Sequence, residues 1–173
     1  SCLKRSVLGG ESLFQNTFTA DQDASIAFTP GGPGDIRALE VPSEGLVMQR
    51  GAYLASSPGV TLDSKWAGLR GLLHEGLFAL HAGGQGTLFF ASYGALDEVE
   101  VDGEYLVDSG FAVAWEPSLE YRLSRARKIR SFLFGDQILV RYQGKGRLWV
   151  QNRSPNSMAD FLHPFRPVKS KND

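Results

Sequence analysis

The chain has 173 residues, 42% of them hydrophobic and 21% charged, and a formal net charge of −1. That balance excludes a disordered polymer and fits one domain, or one domain with an appended tail. The single cysteine, Cys2, can make no disulfide within the chain, and no apolar run approaches the roughly 18 residues of a membrane-crossing helix.

The opening residues Ser1 to Val7 lack the apolar core of a secretory leader. Residues 13–18, 25–28 and 36–41 then read as short strands, interrupted by Pro30-Gly31-Gly32-Pro33-Gly34. Residues 46–49, 52–55 and 60–62 follow, with Ser56-Ser57-Pro58-Gly59 as a turn. The pattern centres on residues 75–101, where Gly83-Gly84-Gln85-Gly86 separates Leu77 to Leu80 from Leu88-Phe89-Phe90, a hairpin signal. Helical patterning is weak, confined to residues 66–73 and 158–162, the second with a cap at Asn156 or Ser157. Residues 120–134 read as a strand, a charged connection and the next strand.

Self-alignment at an offset near 60 matches Gly34 with Gly94, Ile36 with Leu96, Leu39 with Val99 and Val41 with Val101. At 59 it matches Gly51 with Gly110, Ala55 with Ala114 and Pro58 with Pro117. Residues 84–90 correspond to Gly144-Lys145-Gly146-Arg147-Leu148-Trp149-Val150, again at 60. The expected fold is all-β, a double-stranded β-helix-like sandwich or barrel built from internal repeats of about 60 residues. Its units span 11–73 and 75–133, with a half-unit at 135–152, in one domain over 1–152 followed by a C-terminal strap over 153–173. An unmatched half-unit leaves an open edge, to be covered by an upstream segment outside this sequence or by another subunit. Phe161, Leu162 and Phe165 are the expected anchors of the strap.

These residues, laid out in order, resemble the family called altered inheritance of mitochondria. The motifs that carry the likeness are Gly9-Gly10-Glu11-Ser12-Leu13-Phe14, Pro33-Gly34-Asp35-Ile36, Arg50-Gly51-Ala52-Tyr53-Leu54-Ala55, Glu75-Gly76-Leu77-Phe78, Val107-Asp108-Ser109-Gly110, and residues 144–151. The resemblance implies a fold similar to the tryptophan RNA-binding attenuator proteins, usually in an oligomer, and supplies no reaction or catalytic residues. Two departures are Gly135-Asp136-Gln137, where Gly-Glu-Gly is usual, and Lys145, where proline is frequent; both affect turn chemistry alone.

Catalytic constellations are hard to assemble from these residues. A metal site of the cupin kind needs several imidazoles and a carboxylate. The chain has His74, His81 and His163, and the seven-residue spacing of the first two puts them on opposite faces of a strand. Asp108-Ser109 has no placed histidine, and Asp108 reads as a turn carboxylate bonding backbone amides. The glycine stretches lack the Gly-Lys-Ser/Thr ending of a nucleotide loop. The acidic run over Asp97 to Glu104 alternates with Val99, Val101 and Leu106, which makes it the polar face of a strand.

Charge is unevenly spread. Residues 1–121 hold 16 acidic and 6 basic residues, and residues 122–173 hold 3 acidic and 12 basic. Opposite surfaces of this kind can meet each other, a second subunit or an outside partner. The candidate face for a partner or nucleic acid is Arg122, Arg125, Arg127, Lys128, Arg130, Arg141, Lys145 and Arg147, with Arg141 and Arg147 flanking a turn at Lys145. Tyr121, Phe132, Tyr142 and Trp149 interleave with it and are expected to point into the core rather than to stack bases. The expected function is therefore a non-enzymatic, homo-oligomeric assembly or scaffold module without cofactors, cytoplasmic in a bacterium or mitochondrial in a eukaryote. The alternative is an RNA- or DNA-binding protein, and after it an enzyme whose site forms only between subunits.

Overall fold

The computed structural model describes residues 16–64, 79–125 and 138–166. Ten strands appear in the order β1 (Ile36–Glu40), β2 (Leu46–Gln49), β3 (Tyr53–Ser56), β4 (Val60–Asp63), β5 (Ala79–Gly84), β6 (Thr87–Ala91), β7 (Leu96–Asp108), β8 (Ala112–Trp115), β9 (Glu120–Arg125) and β10 (Ile138–Gln151). A short helix, α1 (Pro155–Leu162), follows. The strands form curled antiparallel sheets. One has three strands in the order β1-β6-β3; the other runs β4-β5-β2-β8-β10-β7, with β9 pairing the first part of β10. The chain is all-β, as its punctuation by glycine and proline predicts.

Residue patterns explain where each strand sits. Leu46, Val47 and Met48 are buried in succession, as are Ala112 to Trp115, so β2 and β8 lie mid-sheet with both faces covered. Long β7 alternates instead. Val99, Val101, Tyr105 and Val107 turn toward the interior, while Glu98, Glu100, Asp102 and Glu104 face out. Two cores result. One gathers Leu46, Met48, Leu80, Leu88 and Phe90 with Trp149; the other gathers Trp115, Leu119, Val140, Tyr142 and Leu148 with Val47. Burying each such large side chain contributes about 1.5–3 kcal/mol. Edge-on packing of Phe90 on Trp149, with ring centroids 5.8 Å apart, adds about 1 kcal/mol.

Two pairings have registers offset by a fixed number of residues. β1 pairs β6 with Ile36 opposite Ala91 and Glu40 opposite Thr87. β7 pairs β10 with Leu96 opposite Gln151 and Glu100 opposite Arg147, each partner sixty residues further on. β3 meets β6 at Ala55–Phe89 and Ser56–Leu88, and β8 meets β10 at Ala114–Trp149 and Trp115–Leu148. Both of these pairings carry a register shift at the matching place. Gly34 and Gly94 themselves join in an isolated parallel bridge.

Several details differ from the sequence expectations. Gly83 to Gly86 do not close a hairpin: β5 and β6 pair with different sheets, so these glycines turn the chain from one sheet into the other. Gly144-Lys145-Gly146 is not a turn either. β10 runs unbroken through it, and Gly144 (φ 125°) stands opposite Gly103 (φ 111°) within the paired strands. Residues 138–151 are consequently an internal strand between β7 and the β8–β9 side, not an unmatched edge. Residues 25–28 form no strand, although the Phe28 ring packs on Phe18. Leu106 shares the outer face with Glu104 instead of alternating with it. Helix α1 is capped by Ser154, whose hydroxyl accepts the Ser157 amide, two or three residues before the expected position. Phe161, Leu162 and Phe165 are exposed, so they do not anchor the tail to the sheets. The helical pattern at 66–73 lies outside the described residues.

Candidate functional site

The charged face is built by the pairing of β7 with β10. Alternation puts Glu98, Glu100, Asp102 and Glu104 on the outside of β7, and antiparallel register brings Arg141, Gln143, Lys145 and Arg147 beside them on the same face. Lys145 stands directly opposite Asp102, with Nζ 3.4 Å from the carboxylate. Arg141 reaches Glu104 diagonally at 2.9 Å, and Gln143 donates to the same carboxylate at 3.2 Å. The acidic run and the basic strand of the sequence thus meet each other within one chain.

Arg147 is held most firmly. Its Nε donates to Glu116 Oε1 at 2.8 Å, a second guanidinium nitrogen lies 2.7 Å from the same oxygen, and its backbone amide donates to Glu116 Oε2 at 2.9 Å. Glu98 lies 3.8 Å from the other side, and the guanidinium carbon sits 5.1 Å from the Trp149 ring centroid. Trp149 completes the group by donating its indole N–H to Glu98 Oε2 at 3.0 Å while its ring is wholly buried. Sequence reasoning missed Glu116: its only local signal is a carboxylate between Trp115 and Pro117 at a strand end, and its partner lies on a distant strand.

The remaining candidates separate. Arg122 is exposed on β9, directly opposite Arg141. Arg125 ends β9 opposite Ile138, and Arg127, Lys128 and Arg130 lie outside the described residues. Of the aromatics, Tyr142 and Trp149 are core residues and Tyr121 is half-buried with its ring 6.0 Å from that of Trp115; Phe132 lies outside the described residues. Burial first, and the neighbouring Tyr121 second, pushes the Tyr142 hydroxyl well above the ordinary tyrosine range. Asp108 accepts the Gly110 amide at 2.8 Å, the turn role read from the sequence. His81 Nε2 lies 3.1 Å from the Glu44 carbonyl oxygen, His163 opens a single 3-10 turn after α1, and His74 is outside the described residues. Among the described residues no three His, Cys, Asp or Glu side chains group to hold a metal ion, and no helix is long and apolar enough to cross a membrane.

A sequence model of the family described as mitochondrial biogenesis AIM24 matches residues 1–153. An uncharacterised protein of Streptococcus pyogenes serotype M6 is 28% identical over 171 residues, covering 96% of this chain and 69% of its own length. A crystal structure of a Streptococcus pyogenes protein is similar at 26% identity with a TM-score of 0.68, over 79% of this chain. The chain spans 62% of the length of that solved relative.

Proposed function

The chain belongs to the mitochondrial biogenesis AIM24 family, and on that premise we propose that it is an interaction module of the bacterial cytoplasm, a β-fold assembly protein acting through its outer surfaces. The observation that carries this reading is the ladder on β7 and β10. Arg141, Lys145 and Arg147 are each matched by a carboxylate between 2.7 and 3.4 Å away. A face of alternating sign offers shape and charge pattern to a protein surface, whereas a phosphate backbone needs unbalanced positive charge.

One observation favours nucleic acid as a second reading. Arg122 and Arg141 stand side by side on neighbouring strands, at the start of the basic stretch that continues to Arg130. Titration of labelled polyuridylate between about 50 and 200 mM salt separates the two. The interaction reading expects no salt-sensitive binding. Binding that collapses with salt and with Arg122→Glu or Arg141→Glu would transfer the function to nucleic acid.

A further inference from the structure

The recurring register singles out two surfaces that are unpaired among the described residues although their counterparts are filled. Strand β2 joins β8 through Val47–Trp115 and Met48–Ala114. By the 59- and 60-residue correspondences of the pairings, β2 answers to Tyr105–Asp108 of β7, and β8 answers to β3. The counterpart of the β2–β8 junction is therefore a junction between the far end of β7 and β3. Both strands are instead the last in their sheets, with one long edge unpaired among the described residues.

The side chains tell the same story. On the outer face of β7, Leu96 is 7% exposed, whereas its counterpart Ile36 on β1 is 46% exposed. Val47 is wholly buried in the second core, whereas its counterpart Leu106 is 44% exposed. Trp149 is buried; Phe89, in the matching place on β6, is half-buried. At the rim of the filled junction the Gln49 side chain donates to the Ser109 carbonyl. The counterpart positions are Asp108 and Arg50, which carry opposite charges.

We propose that Tyr105–Asp108 of β7 pairs with β3 of a second copy of this chain, in the geometry of the internal β2–β8 junction. Leu106 then stands opposite Ser56 of that copy and Val107 opposite its Ala55, antiparallel. The second copy's Ile36 and Phe89 face the core under β7, and Leu106 enters the core under its β6. Each copy offers one surface of each kind, so the contact is head-to-tail and closes as a ring or continues as a filament. It pairs two sheet edges that have no strand partner among the described residues, edges of the kind that invite unspecific pairing. The inference gives the interaction reading a concrete partner and rests on it. The two fail separately, since RNA capture is read by salt titration and self-assembly by mass.

The test is mass in solution by light scattering, with β-sheet content checked by circular dichroism. The intact chain is expected at a multiple of 18.9 kDa. Ile36→Glu and Leu106→Glu, at exposed positions, are each expected at 18.9 kDa with unchanged sheet content. Because each variant keeps one competent surface, their equal mixture is expected to recover a twofold mass. Should either variant lose its sheet content, Ser56→Cys combined with Leu106→Cys reads the same contact as a disulfide-linked ladder of copies. A chain that stays at single mass at every concentration, an oligomer indifferent to both variants, or a mixture that recovers nothing overturns the proposal.

Discussion

Gly34 has no room for a side chain, because the carbonyl oxygen of Ser92 occupies the place a Cβ would take and the Ser92 carbonyl carbon would lie 2.7 Å away. Around this contact Asp35 donates its amide to the Gly94 carbonyl at 3.0 Å, and its carboxylate accepts the Leu96 amide at 3.0 Å. The Pro-Gly-Asp motif is thus a seam joining the start of β1 to the start of β7. Gly34→Ala forces backbone against backbone, and we expect a loss of about 1–3 kcal/mol, or a melting temperature lower by about 2–4 °C per kcal/mol. Gly31→Ala, at a position with nothing within 4 Å, is the control and is expected to melt with the wild type.

Trp149 supports the first core in two separable ways. Its ring packs edge-on against Phe90, and its N–H satisfies Glu98. Trp149→Ala is expected to cost about 3–5 kcal/mol through the cavity it leaves. Trp149→Phe keeps an aromatic ring and loses the hydrogen bond, with an expected cost of about 1–2 kcal/mol. Chemical denaturation of both variants checks the ranking. Equal losses would mean that the hydrogen bond, not the ring, dominates.

Some of this was readable in the chain and some was not, for physical reasons. Strands over 46–49 and 60–62 show in the sequence, the second running one residue further in the structure, because short apolar runs between turn residues have few alternatives. Gly144 misled because a glycine with positive φ serves a turn and a bend in a long strand equally well. Its partner across the ladder is Gly103, forty-one residues earlier. The self-match near sixty residues is visible in the sequence, but not that matched residues differ in burial. Val47 and Leu106 are equally apolar, and only the packing leaves one wholly covered and the other open. The basic face was legible as a composition, whereas its pairing with Glu98, Asp102, Glu104 and Glu116 required the register.

Tyr142 gives stability a pH dependence. Burial holds its hydroxyl well above the ordinary value near 10, so the folded state keeps the proton that the unfolded chain releases. Its contribution is whole below about pH 10 and declines as pH rises beyond, by up to about 1.4 kcal/mol per pH unit. We expect the melting temperature to fall more steeply above pH 10 in the wild type than in Tyr142→Phe, which has no proton to lose. The comparison of the two curves isolates this residue from lysines and other tyrosines; parallel curves would show that Tyr142 ionises as readily folded as unfolded.

The charged ladder should be uneven in its contribution. Lys145 and Asp102 are largely exposed and 3.4 Å apart, so their attraction is screened and Lys145→Ala is expected to change stability by no more than about 0.5 kcal/mol. Glu116 is the most sheltered member, bonding both the side chain and the backbone amide of Arg147 while its own amide donates to the Arg147 carbonyl. Glu116→Ala leaves the Arg147 amide without this acceptor and the guanidinium with the 3.8 Å contact to Glu98 and the Trp149 ring, and an expected cost of about 1–2 kcal/mol follows. Denaturation at low and high salt checks the difference, because added salt weakens the exposed pair first and leaves the hydrogen-bonded one largely intact. Equal losses in the two variants would mean that the ladder acts through net charge rather than through the fixed geometry at Arg147.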